Sequence, residues 1–129
     1  MSHWSADYIG TPWVPGLSDC WSFARRVWRE QFGWQVPPWG GDPQDLRHAV
    51  VALQAAPHHP DWRAVDTAVE GDAVLMGRSG RPCHVGIWIA PPEGGGILHS
   101  VARSGVIFTV PGHLPALGLR VLGTYRRAV

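Results

Sequence analysis

Residues 71–89 read Gly71-Asp72-Ala73-Val74-Leu75-Met76-Gly77-Arg78-Ser79-Gly80-Arg81-Pro82-Cys83-His84-Val85-Gly86-Ile87-Trp88-Ile89, and this stretch decides the fold. Gly71-Asp72 makes a turn, and the apolar run to Met76 is a strand. Gly77 to Pro82 supplies a hairpin loop. Cys83 to Ile89, rich in β-branched and aromatic residues, is the returning strand. Side chains alternate along a strand, so His84, Gly86 and Trp88 share one face while Cys83, Val85, Ile87 and Ile89 share the other. The second face is apolar and should be core. His84 therefore points away from that core layer, and Gly86 beside it leaves room.

Toward the C-terminus, Pro91–Gly96 is a turn and Ile97–Ser100 the next strand. Val106–Val110 and Leu119–Tyr125 extend the meander. Toward the N-terminus the period changes. From Asp19 to Phe32, Cys20, Phe23, Ala24, Val27, Trp28 and Phe32 fall on one helical face, with Arg25, Arg26, Arg29 and Glu30 largely off it. Ser18 or Asp19 can cap this helix, and Gly33 can end it in the left-handed region. A second helix is expected from Asp42-Pro43 to about Ala56, carried by Leu46, Ala49, Val50 and Leu53 and broken by Pro57-His58-His59-Pro60. Residues 1–17 and 34–41, rich in Trp, Pro and Gly, read as loops. Helices first and an antiparallel meander afterwards indicate an α+β fold, with N-terminal helices packed on an antiparallel β-sheet. No internal repeat or long linker divides residues 1–129, so a single domain is expected.

The chain has 129 residues, 45% of them hydrophobic and 16% charged, which suits a globular domain. A formal charge of +1 argues against general nucleic-acid binding, which needs a strong basic excess. No apolar run is long enough to span a bilayer. Residues 1–7 show no basic and then apolar segment, so no secretory signal is expected, and the chain should be made in a cytoplasm. Such an origin disfavours a disulfide between Cys20 and Cys83, the two cysteines present. The eight tryptophans are read mainly as core and interface packing, with Trp4, Trp13, Trp39 and Trp62 the ones expected nearer the surface.

Cys20 falls on the first turn of the predicted helix. Unsatisfied N–H groups and the helix dipole favour an anion there, and with a cationic His nearby a thiol falls from about 8.5 into the range of about 3.5–7.5. The helix pattern alone leaves two readings open: a nucleophile, or a buried structural cysteine on an apolar face. His84 raises the first reading, because a helix-start Cys and a strand His are the pairing Cys–His catalysis needs. His99, on the strand that should pair with that of His84, is the candidate to orient the base. Cys83 is the rival thiol, but alternation sends it to the opposite face from His84. Asp19 is a cap or an acceptor behind the site. His3, His48, His58, His59 and His113 show no ligand spacing, and Gly94-Gly95-Gly96 lacks the Lys and helix of a phosphate loop, so neither metal nor cofactor is expected.

The order Asp19-Cys20, Gly71–Met76, His84-Val85-Gly86-Ile87-Trp88-Ile89, Ile97-Leu98-His99-Ser100 resembles the NlpC-type family of cell-wall peptidases, over about Tyr8 to Tyr125. The resemblance implies a papain-like fold and a cysteine endopeptidase with Cys20 as nucleophile, His84 as base and His99 as orienter. It implies that Tyr8 lines the substrate cleft near the oxyanion site, with Asp19 and Trp21 beside the substrate. The substrate it implies is a peptidoglycan stem peptide, cut between γ-D-glutamyl and a diamino acid. Most family enzymes follow the Cys with Ser-Gly, where this chain has Trp21-Ser22, and the Gly-Gly that often precedes the Asp-Cys is reduced to Pro15-Gly16. Trp21 and Arg25-Arg26-Val27-Trp28-Arg29-Glu30-Gln31-Phe32-Gly33 resemble the branch found in phage tail tips and gene-transfer agents. That branch implies neighbours among tail-tip hub or baseplate proteins, and delivery in a particle to the periplasm or cell wall. Two other roles stay open on the same scaffold: a structural plug of a tail tip, and an acyltransferase passing the thioester to an amine or lipid.

Overall fold

The computed structural model describes residues 3–37 and 61–128. The helix expected from Asp42 to Ala56, and Trp39, lie outside the described residues.

The amphipathic stretch forms helix α1, Cys20–Phe32. Its ends follow from local chemistry. Asp19 is extended and its carboxylate accepts the Ser22 N–H, while Gly33 takes φ 71° and closes the last turn on the Arg29 and Trp28 carbonyls. The chain then contributes β1 (Trp62–Ala64), β2 (Ala73–Arg78), β3 (Arg81–Ile89), β4 (Gly96–Val101), β5 (Gly105–Thr109) and β6 (Arg120–Arg127). They form one antiparallel sheet in the order β1-β6-β2-β3-β4-β5. Short 3₁₀ segments cover Trp4–Asp7 and Pro111–Leu117. This is the expected α+β arrangement, consistent with a papain-like fold.

Three details differ from the sequence reading. The hairpin loop is only Ser79-Gly80, not Gly77–Pro82. Both residues adopt positive φ (51° and 75°), the two-residue turn whose twist matches that of the strands. β1 was not expected; it is a short edge strand held by pairing with Tyr125–Arg127. Trp62, on β1, was expected near the surface but is 2% exposed, because it packs on Trp28 at 5.2 Å between ring centroids.

The sheet carries apolar layers on both faces. Under α1, Phe23, Ala24, Val27 and Trp28 meet Leu75, Val85, Ile87, Ile89 and Leu98. On the opposite face, Val74, Met76 and Ile97 pack with Leu114 and Leu119, and Trp88 leans on that cluster. The alternation read from β3 thus holds for Val85, Ile87 and Ile89, whereas Cys83 is exposed at the strand's outer end. Gly86 is the point of closest approach: a Cβ there would lie 2.5 Å from Ile97 Cγ2 and 2.9 Å from His99 Cβ. The room left by Gly86 is therefore filled by β4.

Candidate active site

The β3–β4 ladder runs through Ile87↔Leu98, Trp88↔Ile97 and Ile89↔Gly96, and no pairing continues toward His84. The rest of β4 pairs with β5, His99 opposite Ile107 and Ser100 opposite Val106. A cleft of about 290 Å³ lies at this open end. Its walls include Cys83 and His84 from β3, Ser100 and Val101 from β4, and Asp19 and Cys20 from the start of α1. A buried hydrogen bond from the Ser100 hydroxyl to the Ser18 carbonyl, 2.6 Å, fastens the helix start to β4.

The structure thus brings Cys20 and His84 to one cleft, without a hydrogen bond between them, and it brings His84 to His99. His84 Nε2 and His99 Nδ1 are 2.7 Å apart, and His99 Nε2 lies 2.9 Å from Thr109 Oγ1. His84 Nδ1 has no partner among the described residues. Two proton arrangements satisfy this chain of bonds, because the Thr109 hydroxyl can accept or donate; in the one a general base requires, His84 Nε2–H donates to His99 Nδ1 and His99 Nε2–H donates to Thr109. His84 Nδ1 is then an unprotonated acceptor. His99 is fully buried, so its ring is fixed by packing as well as by these bonds. Thr109 escaped the sequence reading; no local pattern marks a strand Thr as a partner for a His ten residues away.

The electrostatics correct one expectation. Burial pushes the Cys20 thiol up to about 12, against the lowering effect of the Val85 and Trp21 N–H groups. Asp19 also raises it. Burial, with the His99 and Arg78 charges, lowers His84 to about 3, and burial lowers His99 to about 4. The direction is opposite to the expected drop toward thiolate, because desolvation outweighs the Val85 N–H on β3 and the Trp21 N–H at the helix start. Burial thus favours the uncharged form of both the thiol and the imidazole.

The remaining site residues divide. Asp19 lines the cleft, but its two carboxylate oxygens accept from Ser22 N (2.9 Å) and Gly16 N (2.6 Å); it caps the helix and shapes the preceding turn. Tyr8 is elsewhere. Its hydroxyl donates to Glu30 at 2.7 Å and accepts from Gln31 at 3.0 Å, beside the last turn of α1 and about 15 Å of helix from Cys20. Trp21 is also displaced from its expected place: it is 3% exposed, stacks edge-on against Trp28 and donates to the Pro37 carbonyl. Its position on the first turn turns the indole into the core under α1. Among the described residues, the tryptophan that lines the cleft is Trp13. Gly10 N to Val106 O and Val106 N to Thr11 O, both 2.9 Å, tie its loop to β5, and Ser18 Oγ bonds to Pro12 O and Val14 N on either side of it. An aromatic in the lead-in five residues from Tyr8 was the available signal. Among the described residues no set of three His, Cys, Asp or Glu side chains converges on a metal position, and Cys20 and Cys83 are both free thiols.

The family model described as NlpC/P60 family matches residues 10–113, from the loop before the cleft to beyond His99 and Thr109. The chain belongs to the NlpC/P60 family. Membership supports a hydrolase of the cysteine-peptidase kind, directed at cell-wall peptidoglycan. No curated protein matches this NlpC/P60 chain. Among the described residues, no helix is long and apolar enough to cross a membrane.

Proposed function

We propose that this NlpC/P60 domain hydrolyses an amide bond of a peptidoglycan stem peptide, with Cys20 as nucleophile, His84 as general base and His99 as the residue that orients the base. The observation that carries the reading is the hydrogen-bonded line Thr109–His99–His84, which leaves one imidazole nitrogen free on a side chain that shares a cleft with the Cys20 thiol.

Because burial favours the uncharged form of both groups, proton transfer accompanies attack. The Cys20 Sγ–H proton passes to His84 Nδ1 as sulfur bonds to the scissile carbonyl carbon. The tetrahedral oxyanion is held by backbone N–H groups at the helix start, where the free end of the helix dipole favours negative charge. Imidazolium formation is stabilised through Nε2–H to His99. The imidazolium then protonates the departing amine, the C–N bond breaks, and a Cys20 thioester remains. Water, deprotonated by His84, attacks the thioester and releases the acid and the thiol.

The scissile bond we assign is that between γ-D-glutamyl and a diamino acid, on the resemblance stated for the motifs. We assign the domain to a phage or phage-like tail tip, where it would open the wall locally. The support is the resemblance at Trp21-Ser22 and Arg25–Gly33, and in that setting tail-tip hub or baseplate proteins are its neighbours. The burial of Cys20 gives one specific support to a second reading, a structural plug whose site is not used. Incubating purified peptidoglycan with the protein and with Cys20→Ala separates them. The peptidase reading expects soluble stem peptides from the wild type alone; intact wall in both samples favours the plug.

A further inference from the structure

Among the described residues, two charged side chains line the cleft, Asp19 and Arg78. The Asp19 carboxylate is buried, with both oxygens engaged by backbone N–H groups, so it offers a ligand little. Arg78 is different. It ends β2 at the Ser79-Gly80 turn and is exposed. Its guanidinium has two long contacts, Nη1 to Cys83 Sγ at 3.8 Å and Nη2 to the Leu117 carbonyl at 3.4 Å. No carboxylate pairs with it among the described residues. Gly118 leaves space for the side chain: a Cβ there would lie 3.4 Å from Arg78 Nε. A guanidinium carries five N–H donors, so this loose tether aims the fork while leaving most of them for a ligand. Arg78 is also near enough to His84 for its charge to act on the imidazole.

We propose that Arg78 recognises a substrate carboxylate beside the scissile amide. The inference rests on the peptidase reading and names the part of the substrate that the cleft selects. A cleft of about 290 Å³ holds roughly one residue, so an anion bound by Arg78 belongs to a residue at the cut or next to it. A γ-linked glutamyl residue has this form. Its side-chain carboxyl makes the amide, and its α-carboxylate stays free on the same residue. Amidation of that α-carboxylate removes the charge and the two-oxygen acceptor that the guanidinium fork fits.

The test is calorimetric titration of the Cys20→Ala protein with a γ-D-glutamyl stem tetrapeptide and with its α-amide. The free acid should bind about 10-fold more tightly, a moderate figure because Arg78 is solvent-exposed. Adding Arg78→Gln should erase the preference and leave the affinity for the amide within about 2-fold. Equal affinities with Arg78 present, or a preference that survives Arg78→Gln, would overturn the proposal. Hydrolysis by the wild type is read separately. A binding preference without turnover of either peptide supports Arg78 and defeats the peptidase reading; turnover with no preference in binding defeats Arg78 alone.

Discussion

The two ends of β3 behave as different materials. At the Ile87–Ile89 end the strand is paired to β4 and its inward side chains are fully buried under α1. At the His84 end the pairing with β4 has stopped, the neighbouring Cys83 is exposed, and the side chains wall a cleft. A closed ladder consumes its backbone donors and excludes water; an open one leaves both for chemistry. The Val85 N–H sits at the boundary and acts on the Cys20 sulfur. The difference shows how a single strand serves as scaffold and as site: pairing with β2 fixes the position of His84, while the ladder with β4 ends before it.

Substitutions sharpen this contrast. The largest effect belongs to the open end. Cys20→Ala or His84→Ala should lower kcat/KM on stem peptides by about 1,000-fold or more with the fold retained, measured on matched, folded samples. At the closed end the cost shifts from activity to stability. Ile87→Ala, fully buried, should destabilise by about 2–5 kcal/mol in urea melts while the fraction that stays folded keeps its rate constant. Gly86→Ala lies between the two and should damage both. Its Cβ would overlap Ile97 and His99, so we expect about 1–3 kcal/mol of lost stability and a drop in kcat greater than that from Ile87→Ala in the folded fraction.

The smallest effect is one of pH. His84 and His99 are held below their ordinary 6.5, at about 3 and about 4, so the unfolded chain binds more protons than the folded one between these values. Stability should be fully present above pH 6.5 and decline as pH falls through about 4 and 3. Cys20 is raised from 9.0 to about 12, so a second decline should begin above pH 9.0. His99→Gln should flatten part of the acid limb. Chemical denaturation across pH measures both limbs, and an acid limb unchanged by His99→Gln would contradict the buried neutral pair.

What was legible in the sequence was local. α1 was visible because its apolar period, the Asp19 cap and the left-handed Gly33 lie within one stretch. The strands from Ala73 to Tyr125 were visible because alternation and turn residues mark them, and His84 was placed off the α1 face by counting in twos. The features that escaped depend on partners far along the chain. β1 exists because β6 pairs with it, and Trp62 is buried because Trp28 receives it. Tyr8 and Trp21 were expected at the cleft by resemblance. Glu30 and Gln31 hold the first, the packing against Trp28 draws in the second, and Trp13 stands at the cleft instead. The helix start favours a low thiol, but the burial of Cys20, which no local pattern shows, imposes a desolvation that outweighs it.

The most direct test of the account is to catch the thioester. The wild-type protein should be mixed with a γ-D-glutamyl stem peptide, quenched in acid within the first turnover and mapped by mass spectrometry. The account predicts an acyl group, bearing the mass of the N-terminal fragment of the peptide, on Cys20 and none on Cys83. Turnover with Cys20 unmodified, or an acyl group carried by Cys83, would contradict it.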